Sequence, residues 1–157
     1  MTEHESILIG TLKKLTMLDG VSGDEKPVRD FITEKIRDRA DSLHVDNIGN
    51  LIAFRKGTGM NKKVMLAAHM DEVGLLVTGI NDNGLLKFKT VGGIEPRVLV
   101  GKRVRIGKDR VPGVIGYKPV HLQDASERKS PVKKSGLAID IGAKDREQAE
   151  QSVAVGD

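Results

Sequence analysis

Apolar residues recur every three to four positions at the start of the chain and every second position later, and this change of period divides the sequence. Leu8, Leu12 and Leu15 fall at i, i+4 and i+7, so residues 7–18 are predicted to form a helix with one apolar stripe, closed by Asp19-Gly20. A second helix is predicted from near Ser22. Ser22 and Glu25 have the spacing of a capping box, Asp24 and Glu25 suit the positive end of a helix dipole, and Pro27 fits only an early turn. Val28, Phe31, Ile32 and Ile36 form its apolar face, and the Arg- and Asp-rich residues 37–41 read as a solvated tail.

From His44 onward the period is that of strands. Residues 45–48 and 51–54 flank Gly49-Asn50, the signature of a hairpin turn. Residues 56–62 are a Gly-rich, charged connection. Residues 63–69 carry apolar side chains on both faces, which predicts a buried central strand. Beyond Gly74 the strands become short and glycine-punctuated. They are expected at 75–80, 85–90, 98–100, 104–106, 111–117 and 138–141, with Asn81-Asp82-Asn83-Gly84 as a hairpin turn between the first two. This texture suggests a small barrel or sandwich. The polar residues 118–136, with Pro119 and Pro131, read as a long mobile loop, and residues 145–151 as a short helix. The chain is thus expected to hold two domains: an α/β piece over 1–72, with two helices and then strands, and a β-rich domain over 73–157.

Composition narrows the chemistry. The chain has 157 residues and no cysteine, so disulfides and thiolate metal sites are excluded, and any bound metal must be held by His, Asp or Glu. The four aromatics are Phe31, Phe54, Phe88 and Tyr117, so the core must rest on aliphatic side chains. The N-terminus is acidic rather than basic and no apolar run reaches membrane-spanning length, which leads to the expectation of a cytoplasmic protein without membrane contact. The net charge of +4 is uneven: residues 101–134 hold ten Lys and Arg against three Asp and Glu, a local +7. A basic run can bind nucleic acid, but this one contains a single aromatic, Tyr117, for bases to stack on, and a solvated surface is the simpler reading.

The chemistry concentrates at Ala67-Ala68-His69-Met70-Asp71-Glu72-Val73-Gly74, where an apolar run ends in one imidazole and two carboxylates. In a strand, i and i+2 share a face, so His69 and Asp71 point the same way. That suits a metal-binding histidine whose second ring nitrogen is held by a carboxylate. Glu72 would face the opposite side, in a structural or interdomain hydrogen bond. Asp46 and Asn47 are expected to hydrogen-bond within their turn. His4 and His44 read as surface residues, and His121 has no assigned chemistry.

Four segments, in this order, make the chain recognisable: residues 15–23 (L-T-M-L-D-G-V-S-G), 45–51 (V-D-N-I-G-N-L), 67–74 (A-A-H-M-D-E-V-G) and 113–122 (G-V-I-G-Y-K-P-V-H-L). With residues 137–143 (L-A-I-D-I-G-A), they resemble the tetrahedral aminopeptidases, a family that includes glutamyl aminopeptidases and cellulase M-like proteins. The resemblance implies an aminopeptidase with two co-catalytic divalent metal ions, zinc or cobalt, sharing a water, and with a glutamate as general base. It implies an α/β catalytic domain into which a β-rich, PDZ-like dimerisation domain is inserted, and dimers that build twelve-subunit particles. His69 then becomes a metal ligand and Asp71 the catalytic-site carboxylate that orients it. The other residues of the implied site are a bridging aspartate, an adjacent glutamate pair, another aspartate and a late histidine. They would lie beyond the inserted domain, and the sequence contains no Glu-Glu pair.

The expectation is therefore the N-terminal portion of a dimetal aminopeptidase acting on peptides, with an incomplete metal site and no activity of its own. Two alternatives are a self-associating β-rich interaction module and a basic nucleic-acid-binding barrel.

Overall fold

The computed structural model describes residues 2–59, 62–119, 121, 123–124 and 130–157. The chain divides into two compact units, Met1–Glu72 and Val73–Asp157.

The first unit begins with helix α1, Glu3–Leu15. It starts four residues before the apolar period requires because Thr2 and Glu5 form the capping box: Glu5 N donates to Thr2 Oγ1 at 3.3 Å, and Thr2 N to Glu5 Oε2 at 2.7 Å. No residue of α1 is buried. Helix α2 spans Lys26–Ile36, with Glu25 as an N-cap that makes no side-chain capping bond. The capping box expected at Ser22 is absent, since the hydroxyl of Ser22 is engaged with Asp71 and Glu25 Oε1 accepts from Gly23 N at 2.7 Å. Val28 is the buried residue of α2, and a 3-10 turn, Arg37–Arg39, follows.

Strands β1, Ser42–Val45, and β2, Leu51–Phe54, pair antiparallel from Ser42↔Phe54 to Val45↔Leu51. The first strand lies three residues earlier than the alternation suggests. Asp46 takes over the turn, accepting from Ile48 N at 3.1 Å, Asn50 N at 2.9 Å and Asn50 Nδ2 at 2.8 Å, and it leaves Ile48 exposed.

The strand expected over residues 63–69 does not form: none of the described residues 62–69 is in a strand, and Leu66 is 93% exposed. A buried strand needs neighbours for its main-chain N–H and C=O groups and for both faces. β1 and β2 pair with each other in a two-stranded sheet, and none of the described residues 62–69 joins it.

The second unit is a five-stranded antiparallel sheet in the order β3-β4-β7-β6-β5. Its strands are β3 Gly74–Ile80, β4 Leu86–Val91, β5 Arg103–Ile106, β6 Val111–Gly116 and β7 Ala138–Asp140. The β3–β4 turn closes as its sequence predicts, with Gly84 N donating to Asn81 O at 3.0 Å and Gly84 at φ +79°. Residues 98–100, read as a strand, fall instead on helix α3, Pro96–Leu99, and just beyond it. Pro96 supplies helical φ at the first turn and Leu99 turns into the core. A 3-10 turn, Lys134–Gly136, precedes β7; the rest of the expected 118–136 loop lies partly outside the described residues. Helix α4, Arg146–Glu150, is capped by Asp145, which accepts from Gln148 N at 2.8 Å.

β7 slots between two hairpins and joins their cores. Leu86, Ile139 and Ile115 are register partners across β4, β7 and β6, and all three are at most 1% exposed. Val77, Ile80, Leu99, Ile106, Leu137, Ala149 and Val153 pack around this row. Each large aliphatic side chain so buried contributes about 1.5–3 kcal/mol. Among the described residues, no helix is long and apolar enough to cross a membrane.

Candidate metal-ligand site

The site assembles from two stretches of the first unit that lie far apart in sequence. Residues 70–72 run beside residues 20–22: Val21 and Glu72 form a parallel bridge, and Glu72 N donates to Gly20 O at 2.7 Å. Glycine is required at position 20 by close approach, since a Cβ there would sit 2.7 Å from Val28 Cγ2 and 3.5 Å from Met70 O. Asp24 N donates to Val21 O at 2.8 Å, so the chain turns directly after the bridge, with Gly23 at φ +96°. The segment D-G-V-S-G thus acts as a clip that holds Ser22 over residue 71.

Within this clip His69 Nδ1 lies 3.0 Å from Asp71 Oδ1 and 3.0 Å from Asp71 O. The other carboxylate oxygen, Oδ2, accepts from the hydroxyl of Ser22. The Ser22 hydrogen bond is the main influence that holds the Asp71 carboxyl below the usual carboxylate range. Partial burial opposes it, and the bond to His69 reinforces it, as does the charge of that ring when it is protonated. The His69 side chain is 85% exposed and that of Asp71 39%. With Nδ1–H donating to Asp71, the neutral ring keeps its lone pair on Nε2, the nitrogen then available to an ion.

The donor chemistry fits a divalent ion of the zinc type at one position. Such an ion takes imidazole and carboxylate donors, about three from the protein in a catalytic site. No cluster of three or more His, Cys, Asp or Glu able to hold an ion occurs among the described residues. Glu72 contributes its backbone to the bridge with Val21 and is exposed. His4, His44 and His121 are exposed. Sequence reasoning placed His69 with Asp71 but assigned Ser22 to the helix. The contact between segments 49 residues apart had no local signal, although the two glycines flanking Val21-Ser22 mark the clip.

Residues 49–157 match the M42 glutamyl aminopeptidase family, and the chain belongs to it. The lysyl aminopeptidase of Pyrococcus furiosus is 36% identical over 144 residues, covering 89% of this chain and 41% of that protein. The crystal structure of a TET aminopeptidase from a marine sediment archaeon, Thaumarchaeota archaeon SCGC AB-539-E09, superposes with a TM-score of 0.90 at 37% identity, covering 99% of this chain and 44% of that one. The TET1 peptidase of Pyrococcus horikoshii, described as assembling into a tetrahedron or a large octahedral shell, is 43% identical with a TM-score of 0.80, covering 95% of this chain and 44% of that one. The chain therefore spans less than half the length of these relatives.

Proposed function

We propose that this chain is the N-terminal portion of a metal-dependent aminopeptidase that removes N-terminal residues from peptides. Met1–Glu72 contributes the start of the catalytic domain, and Val73–Asp157 is the inserted, PDZ-like dimerisation domain. One observation carries the reading: His69 Nδ1 lies 3.0 Å from a carboxylate that is itself anchored, while the ring stays exposed. In this role His69 is one ligand of a divalent ion, zinc or cobalt, and Asp71 fixes its ring and raises its basicity. The chemistry such ions supply is acidification of a bound water and polarisation of the scissile carbonyl. The exposed apolar side chains of the first unit support the same reading, as Leu8, Leu12, Val64, Met65 and Leu66 offer a surface for further parts of a catalytic domain.

A single imidazole does not make a hydrolytic centre. The purified chain is expected not to hydrolyse aminoacyl-p-nitroanilides, with or without added cobalt or zinc. Turnover lost in His69→Ala would overturn that expectation. The ligand assignment is read separately, by adding Co2+ to the labelled chain. Paramagnetic broadening should strike the His69 ring before those of His4, His44 and His121, and a His69 ring untouched while the others broaden would remove it.

Self-association is proposed for the second unit, supported by its own hydrophobic core and by the assemblies described for the Pyrococcus horikoshii relative. Light scattering coupled to size exclusion should return a dimer or larger, and a strict monomer over micromolar concentrations counts against it.

A further inference from the structure

We propose that Ser22 is a positioning residue for the His69 imidazole, acting through the carboxylate of Asp71. The inference rests on the reading of His69 as a metal ligand and asks what holds that ring in register. Packing does not: the His69 side chain is 85% exposed. His69 Nδ1 has two acceptors on Asp71, the backbone oxygen and Oδ1, each at 3.0 Å, and a hydrogen bond to so exposed a ring is weak, because water competes for it and the ring must give up rotamer freedom. Asp71 can also spin about its terminal torsion, which is broad for carboxylates. Anchoring one oxygen removes that freedom. Ser22 donates to Oδ2, which fixes the carboxylate plane and aims Oδ1 at Nδ1, 3.0 Å away.

Ser22 is itself placed by main chain rather than by side-chain packing. The Val21–Glu72 bridge, the 2.7 Å bond from Glu72 N to Gly20 O and the 2.8 Å bond from Asp24 N to Val21 O hold both sides of it. The hydroxyl therefore acts as a fixed post, and orientation passes from backbone to Ser22, to Asp71, to His69. The consequence is chemical: a carboxylate held in this way, together with the Asp71 backbone oxygen, selects the Nδ1–H tautomer and leaves the Nε2 lone pair outward.

The test is 15N NMR of the imidazole rings at about pH 9, well above the ordinary imidazole range. In the wild-type chain His69 should be predominantly the Nδ1–H tautomer. Ser22→Ala should shift it toward the Nε2–H form, Ser22→Thr should restore it by returning a hydroxyl, and Ser22→Val, of similar shape, should not. Unchanged Glu72 amide shifts report that the clip is intact. If Ser22→Ala loses the fold, the Ser22→Thr and Ser22→Val pair carries the comparison. Co2+ affinity at His69 should fall about tenfold in Ser22→Val, the lower end for loss of a group supporting a ligand. Tautomer populations equal in wild type and Ser22→Val overturn the role of Ser22. If they are also equal in Asp71→Ala, the Asp71–His69 reading falls with it; if Asp71→Ala alone moves them, that reading stands and only Ser22 is removed.

Discussion

At the scale of single residues, two glycines in the first unit test opposite uses of a missing side chain. Gly20 sits where a Cβ would press on Val28 Cγ2 at 2.7 Å, and Val28 is buried and β-branched, with little rotamer freedom to yield. Gly20→Ala should cost about 1–3 kcal/mol and displace the Glu72 amide resonance, because the overpacked contact is the one that sets the clip. Gly10 lies inside α1 with nothing within 4 Å of the Cβ position. Gly10→Ala should stabilise α1 by about 0.5–1 kcal/mol, since helix propensity is then the main effect. Chemical denaturation of both variants, with the sign of the change as readout, checks the pair. The sequence showed two glycines in helix-flanking or helical contexts; which of them is sterically required depends on what approaches from Val28 and Met70.

At the scale of elements, the β1–β2 hairpin is held at its turn by one carboxylate. Asp46 accepts from the side chain and backbone of Asn50 and from the backbone of Ile48, and these bonds, the Asn50 side chain first, lower its carboxyl below the ordinary range. A carboxylate depressed in the folded state stabilises at pH above its unfolded value of about 3.9, and that stabilisation fades as pH falls through the lower folded value. Amide protection of β1 and β2 should therefore be weaker in Asp46→Ala than in wild type at neutral pH, and the gap should close below about pH 3.9. A gap that stays constant with pH would show that the turn does not depend on the ionised form. Elements with local turn chemistry were legible in the chain: the Asn81–Gly84 turn, the β3–β4 hairpin, and strands β5 and β6. Those whose outcome depends on distant partners were not. Val98-Leu99-Val100 has strand-like composition, yet Pro96 and the burial of Leu99 make a helical turn.

At the scale of the whole molecule, burial is unequal between the units. Among the described residues, Val28 is the buried hydrophobic residue of Met1–Glu72, whereas ten buried residues form the core of Val73–Asp157. Local stability follows buried contact, and a 13-residue helix with no buried side chain is marginal on propensity alone. Hydrogen exchange should find the slowest amides at Leu86, Ile115 and Ile139, with α1 exchanging orders of magnitude faster. Protection in α1 equal to that of β7 would show that something outside the described contacts covers it. This asymmetry also explains why residues 63–69 do not form their expected strand: the pattern for a central strand is written in the chain, but pairing is a property of neighbours.

The sequence alone determined the period of each segment, the local turns and the closeness of His69 to Asp71 along the chain, because each depends on residues within a few positions of one another. The family resemblance was legible for the same reason, in short motifs kept in order. Only the tertiary structure decided that β7 would lie between β4 and β6, that Leu86, Ile139 and Ile115 would form one row, and that Ser22 would leave its helix for Asp71. Those outcomes depend on which distant segments bury one another and whose hydrogen bonds are left to be met, and no local pattern encodes that choice.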